Sequence, residues 1–182
     1  TELAQLLQTN ALGLADLVSD ILDIASIESG QVELHKSEFS LDDFLVEQRR
    51  RLAPLAQAKQ LTLDCESMAE PTSIRSDRVK LARIVTNLVS NAIKFTETGG
   101  VTLATEITDQ SITICVRDTG IGIAAENLDR IFDEFSQLHH LQRDRVKGWG
   151  LGLAICRRLI DLLGGAITVE SEVGCGTIFS VH

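Results

Sequence analysis

Asn87-Leu88-Val89-Ser90-Asn91-Ala92-Ile93-Lys94-Phe95 is the stretch whose reading decides the fold. Read as a helix, at about 100° per residue, it places Asn91 about 40° from Asn87 and Lys94 about 20° to the other side. Two amides and an ammonium then share one narrow stripe. Leu81, Ile84, Val85, Leu88 and Ala92 fall mostly on the other flank, as an amphipathic core helix requires. An amide oxygen is a hard ligand suited to Mg²⁺, and a lysine one turn away can neutralise phosphate. By itself the stripe reads equally well as the solvated face of a core helix.

The surrounding chain sets bounds on the answer. It has 182 residues, 44% of them apolar, and a formal charge of -9. That is enough for one domain of ordinary size plus a small extra element. The acidic balance argues against nucleic acid or an anionic membrane as partner. A polyanionic ligand would need local cations, a metal or backbone N–H groups. Cys65, Cys115, Cys156 and Cys175 are scattered without zinc or Cys-x-x-Cys spacing, which points to free thiols in a reducing compartment. No apolar run reaches membrane-span length and no signal-peptide pattern opens the chain. The expected location is cytoplasmic, for a parent protein that membrane anchoring elsewhere would not contradict. The sequence starts inside a helical pattern without a cap, as a fragment does.

Leu3, Leu7, Asn10, Leu14, Leu17, Ile21 and Ile24 are spaced as an a/d seam, which predicts a long helix with a partner helix along residues 3–28. A helix packed only on its own domain is the other reading. Val32 to Phe39 alternates as a strand, and Ser40 or Asp42 can cap a helix running to about Lys59. Leu61–Cys65 and Ser73–Arg75 read as short strands around a turn at Glu70-Pro71-Thr72. Asp77 then starts the helix quoted first.

Two alternating strands follow. In the second, Ile112, Ile114, Val116 and Asp118 share a face. A carboxylate that ends a core-facing row costs several kcal/mol to bury without partners. Asp118 is either a turn-forming residue or a ligand contact, and Gly120 and Gly122 beside it let backbone approach a ligand closely. Glu126–Arg130 reads as a short helix. Residues 138–147 hold His139, His140, Arg143, Arg145 and Lys147, a cationic cluster in an acidic chain. It is a solvated loop or a lid over an anion. Gly148-Trp149-Gly150-Leu151-Gly152 then opens a helix, where unpaired N–H groups and the dipole suit phosphate. It lacks the Gly-Lys-Ser/Thr of a P-loop and does not follow a strand. Two closing strands flank a Gly174-Cys175-Gly176 turn.

Taken in order, Asn87-x-x-x-Asn91-Ala92-x-Lys94-Phe95, Asp118-x-Gly120-x-Gly122, Phe132-x-x-Phe135 and Gly148-x-Gly150-x-Gly152 resemble the N box, first glycine box, F box and second glycine box of sensor histidine kinases. Gly174-x-Gly176-Thr177 resembles the third glycine element. The resemblance implies a catalytic ATP-binding domain over residues 33–182. It implies the second helix of a dimerisation and phosphoacceptor domain over residues 1–32. The implied fold is α/β (α+β): the two-layer α/β sandwich of the gyrase, Hsp90, histidine kinase and MutL superfamily, with a mixed sheet and helices on one face.

The resemblance also implies roles. Asn91 would ligand Mg²⁺, Asn87 would lie beside the same metal–phosphate cluster, and Lys94 would meet phosphate. Asp118 would accept from the adenine amino group. Gly120 and Gly122 would let backbone close on the base, and Thr177 would lie near adenine. Gly148, Gly150, Leu151 and Gly152 would form the lid hinge and phosphate cradle. The implied cofactors are ATP and Mg²⁺. The implied partners are a second subunit through residues 3–28 and a response regulator or receiver domain. The family's phosphoacceptor histidine motif surrounds none of His35, His139, His140 or His182, so this stretch alone is not expected to autophosphorylate. Trp149 stands where the family has a small hydroxyl residue or similar.

Protein-histidine kinase is therefore the leading expectation. A degenerate nucleotide- or partner-binding module without transfer activity is the alternative. A hydrolase of the same superfamily ranks last, because those enzymes carry a glutamate at the Asn87 position and an amide cannot act as general base on water.

Overall fold

The computed structural model describes residues 2–30, 32–66, 71–108, 111–136 and 149–182, without the side chains of residues 2–10, 12 and 16. In chain order the elements are α1 (Glu2–Glu28), β1 (Ser37–Ser40), α2 (Leu41–Ala58), β2 (Thr62–Cys65), β3 (Ser73–Ser76), α3 (Arg78–Phe95), β4 (Gly100–Ile107), β5 (Ile112–Asp118), a 3-10 turn (Ala125–Asn127), α4 (Gly152–Leu163), β6 (Ile167–Glu172) and β7 (Gly176–Val181). The five-stranded sheet has the order β2-β4-β5-β7-β6. β2 pairs parallel to β4, and the other ladders are antiparallel. β1 and β3 form a separate two-stranded ribbon.

The registers sort the sheet into two faces. Leu103, Val116, Phe179 and Val169 stand opposite one another across four strands, as do Thr105, Ile114, Val181 and Ile167. These rows meet the helices, with Leu103 and Val116 fully buried. The other face is small or polar: Ala104, Cys115, Ser180 and Thr168 form one row, and Arg117 pairs with Glu106 at 2.8 Å. Alternation with period two produces this division directly. α3 lies centrally, packed on α2, on α4 and on strands β4 and β5. Its Ile84, Val85, Leu88 and Val89 are wholly buried.

Each end of α3 is tied down. At its start Asp77 accepts the N–H groups of Val79 and Lys80 at 3.1 Å, the N–H of His35 at 2.9 Å and the Lys80 ammonium at 3.0 Å. At its end the Lys59 ammonium donates to the carbonyls of Ile93, Lys94 and Thr96 at 2.7, 2.8 and 2.9 Å. A cation on the last carbonyls satisfies groups that the helix itself leaves unpaired.

Two expectations need correction. The strand predicted from Val32 begins only at Ser37. Backbone groups of the preceding stretch are engaged elsewhere: His35 gives its N–H to Asp77, and Glu33 gives its carbonyl to Lys80 at 3.0 Å. The helix predicted over Glu126–Arg130 is a single 3-10 turn with further turns after it. Ser40 does cap α2, accepting from the Asp43 N–H at 3.2 Å.

The apolar seam of α1 divides between two surroundings. Leu17, Ile24 and Ile27 pack on the core of the same chain, while Leu14, Val18, Ile21 and Leu22 remain exposed, Leu14 by 58%. Leu3, Leu7 and Asn10 lie among the undescribed side chains. Arg83 of α3 holds Asp20 at 3.0 Å and also Asp23, and Arg158 of α4 holds Glu28 at 2.8 Å and also Glu134. No helix among the described residues is long and apolar enough to cross a membrane.

Asp77, 2% exposed, provides a pH test. Burial alone would raise its pKa, but the N–H groups of His35 and Lys80 and the Lys80 ammonium outweigh it and hold the carboxyl at about 2. The folded value lies below the unfolded one, so the stabilisation is present at neutral pH and is lost as pH falls through the acid range. It amounts to about 2 kcal/mol. Asp77→Ala should cost at least about that much at pH 7 and should flatten the loss of stability between pH 5 and 2. Urea unfolding across that range would show it. An acid limb identical to that of the parent chain would remove Asp77 from this role.

Candidate functional site

The polar stripe of α3 points at the start of α4. Asn87 is half-buried, and its amide donates to the Gly152 carbonyl at 3.3 Å. Gly152 opens the twelve-residue α4, and Leu151 before it provides no side-chain cap. Ile155 N–H is the donor that reaches back to the Leu151 carbonyl at 2.9 Å. The earlier N–H groups of the helix therefore have no intrahelical acceptor, and the positive end of its dipole lies beside Asn87. One turn further on, Asn91 is half-buried, and its side-chain amide makes no hydrogen bond to a described residue. Lys94 follows on the same stripe, its ammonium 4.9 Å from the Phe95 ring centroid. Burial lowers its pKa below the usual lysine range. Arg83 extends the stripe by one turn in the other direction, which sequence reasoning missed.

The second group of predicted residues meets at the far end of α3. Asp118 ends β5 directly opposite Thr177 of β7. Its Oδ1 accepts the Gly120 N–H at 2.8 Å, and the Thr177 N–H also donates to the carboxylate. Burial raises its pKa, against the effect of these two donors. The loop beyond it is tied to α3 through Ile121 N–H on the Phe95 carbonyl, 3.3 Å.

The glycines have reasons within the chain itself. A Cβ on Gly120 would stand 2.6 Å from the Phe95 carbonyl oxygen, and one on Gly122, at φ 67°, would stand 2.0 Å from that of Glu172. Gly150, at φ 73°, is pressed on the Ser136 carbonyl in the same way. Gly152 differs, since its Cβ would meet only the Asn87 amide, at 3.8 Å.

Thr177 is 5% exposed, and its hydroxyl lies 2.9 Å from that of Ser171 in β6. Sequence reasoning missed Ser171. The signal was available: Ile167, Val169 and Ser171 alternate, and a hydroxyl at an inward position invites the question that Asp118 raised. Phe132 packs edge-to-face on Phe179, with centroids 6.3 Å apart, and carries Arg157 over its ring. A depression of about 320 Å³ beside Phe132 and Arg157 includes none of the predicted site residues. Trp149 is half-exposed, and its indole N–H donates to the Gly13 carbonyl of α1 at 3.2 Å. Gly148 and the cationic residues His139, His140, Arg143, Arg145 and Lys147 lie outside the described residues.

Residues 76–182 match the family of histidine kinase-, DNA gyrase B-, and HSP90-like ATPases, and the chain belongs to that family. Among its relatives is the sensor histidine kinase RcsC of Escherichia coli (strain K12), 40% identical over 170 residues that make up 93% of this chain and 18% of RcsC. Another is the sensor protein GacS of Pseudomonas syringae pv. syringae, 37% identical over 179 residues, 95% of this chain and 20% of GacS. The chain thus spans about a fifth of the length of these curated relatives. Among solved structures, full-length ShkA in complex with AMPPNP superposes with a TM-score of 0.82 at 35% identity, covering 92% of this chain and 35% of ShkA. The nucleotide-free catalytic domain of the histidine kinase ThkA gives 0.70 at 28% identity, covering 81% and 95%.

The glycine geometry separates two substitutions. Gly122→Ala combines a positive φ with a clash on backbone and should lose at least about 2 kcal/mol of stability. Gly152→Ala, at a helix start with space around it, should change stability by less than about 1 kcal/mol. Chemical denaturation of both variants is the check. Equal losses would contradict the packing described.

Proposed function

We propose that this chain is the ATP-binding kinase part of a sensor histidine kinase, holding Mg-ATP for phosphoryl transfer to a histidine side chain of a dimerisation domain. We assign that acceptor role to none of His35, His139, His140 and His182. The observation that carries the reading is the reach of α3. Asn87 meets the uncapped start of α4, and the Phe95 carbonyl, eight residues on, meets the Asp118 loop. That is about 12 Å along the helix axis, comparable to an extended nucleoside triphosphate.

On this reading the phosphates lie at the N–H groups of Gly152 and its neighbours, with Gly150 and Leu151 shaping the approach and Gly148 completing the hinge. Lys94 supplies a cation, and an anion beside it offsets the cost of half-burying its charge. The base lies at Asp118, with Thr177 and the Gly120–Gly122 backbone around it. Among the described residues no three His, Cys, Asp or Glu side chains cluster as a metal site. Mg²⁺ would therefore be held by the Asn91 amide oxygen together with phosphate oxygens, a donor set that suits it. When bound, it would neutralise charge on the phosphates. The unpaired Asn91 amide fits that use, and Asn87 beside it fits the same cluster. Phosphoryl transfer asks mainly for positioning and charge neutralisation, so no nucleophile is required from this domain.

The domain boundary proposed near residue 32 makes α1 part of the dimerisation domain, docked here on α3 and α4 through Arg83 and Arg158. A second copy would cover Leu14, Val18, Ile21 and Leu22, and a response regulator or receiver domain would take the phosphoryl group onward.

Two outcomes test this reading. Asn91→Ala should weaken Mg-ATP by about tenfold or more, ~1.4 kcal/mol, and metal-free nucleotide much less, by calorimetric titration. Equal losses for both would make Asn91 a fold residue. For the dimer, Leu14→Lys with Ile21→Lys should weaken self-association in sedimentation, whereas Leu17→Lys should chiefly lower stability. A chain that stays monomeric at high concentration would count against the proposed interface.

A further inference from the structure

Ser171 has no role in the reading above, yet its hydroxyl lies at the centre of the group around Asp118. It accepts the Ile123 N–H at 2.8 Å, donates to the Gly176 carbonyl at 2.8 Å, and lies 2.9 Å from the Thr177 hydroxyl. A serine hydroxyl has one proton and two lone pairs. With that proton on the Gly176 carbonyl, the bond to Thr177 has only one possible direction: Thr177 donates and Ser171 accepts. Ser171 is then saturated, with one lone pair on Ile123 N–H and the other on Thr177. Thr177 has used its only proton and retains lone pairs alone.

The registers place these groups together. Asp118 stands opposite Thr177, and Thr177 stands opposite Ser171, so the three side chains form one row on the helix-facing side of the sheet. The row continues the apolar rows below it, and Val101 on β4 is its buried neighbour. Asp118, when ionised, is also an acceptor only. Two side chains that can only accept therefore lie side by side.

We propose that Ser171 is a positioning residue for base recognition: it fixes Thr177 as a hydrogen-bond acceptor, so that a base whose 6-position faces Asp118 and Thr177 directly must bring a donor there. The class accepted is a 6-aminopurine nucleotide, and the class disfavoured is a 6-oxopurine, whose oxygen would face acceptors. The same hydroxyl holds the Gly122 loop through Ile123, which fixes the floor on which the base rests. The inference depends on the base lying at Asp118, as proposed above. An unpaired donor or acceptor at such a site is what makes polar selectivity large.

The test compares Mg-ATP with Mg-ITP, which carries an oxygen in place of the 6-amino group, by calorimetric titration of the intact chain. The parent chain should prefer ATP. Ser171→Ala frees the Thr177 proton, and the ATP/ITP preference should fall by about tenfold, while Ser171→Thr, which keeps the hydroxyl, should retain it. Thr177→Val removes the acceptor without disturbing the Ile123 and Gly176 bonds. It should lower the preference too, and adding Ser171→Ala to it should lower it no further. Equal weakening of both nucleotides by Ser171→Ala would mean a structural role only and would overturn the proposal. Thr177→Val decides the matter if Ser171→Ala does not fold: an unchanged ratio there also overturns it. Asp118→Asn separates the two levels. If it shifts the preference and the Ser171 and Thr177 variants do not, only this inference fails. If Asp118→Asn leaves the preference intact, the base is not at Asp118 and both readings fail.

Discussion

Helix α3 is tied at both ends by a charged side chain, and the rest of the domain is arranged on it. Asp77 gathers three backbone N–H groups and an ammonium at the start, and Lys59 gathers three carbonyls at the finish. Of the Asp77 partners His35 comes from the segment that precedes β1, and Lys59 comes from the turn that follows α2. Both ties therefore fix the position of α3 relative to chain far away in sequence. With the ends set, the apolar flank of the helix packs on β4 and β5, and the polar stripe has only one direction left. It meets the start of α4 at Asn87 and the Asp118 loop at Phe95.

This arrangement explains how polar side chains are tolerated at the top of an otherwise apolar sheet face. The row of Asp118, Thr177 and Ser171 would be costly if left unpaired. Each of its members has partners: Gly120 and Thr177 N–H groups for Asp118, the Ser171 hydroxyl for Thr177, and Ile123 and Gly176 for Ser171. The row is satisfied internally while Asp118 and Thr177 keep lone pairs that no donor of the row uses. At the other end the logic is reversed. Asn91 and the first N–H groups of α4 have no partners within the described chain, so they are available to oxygen ligands. The proposed nucleotide site joins an end rich in acceptors to an end rich in N–H donors.

Much of this was legible in the sequence, where local patterns decide the outcome. The 3.6-residue stripe identified α3 and its polar face, and the two-residue alternation turned Asp118 inward. The glycines were read as places where backbone approaches a ligand; the groups that crowd Gly120, Gly122 and Gly150 within the chain are carbonyls of Phe95, Glu172 and Ser136, which no local pattern reveals. Contacts distant in sequence were not legible. Lys59 reaches the end of α3 from 34 or more residues away, and Trp149 reaches Gly13 across 136. Neither composition nor period encodes such a pairing. The β1 strand was overextended because alternation in Val32–Lys36 was read without knowing that Asp77 and Lys80 would claim its backbone. The α1 seam was read as one surface, whereas the docking of Arg83 and Arg158 divides it.

The central claim is that α3 spans both ends of one nucleotide. Residue-resolved amide shifts in solution test it most directly, by titrating the chain with adenosine and with Mg-ATP. Adenosine should perturb Gly120, Ile121 and Gly122 alone, and Mg-ATP should perturb those amides together with Gly152, Leu153 and Ala154. Perturbation of the α4 amides by adenosine alone, or a Mg-ATP response that leaves either group untouched, would contradict it.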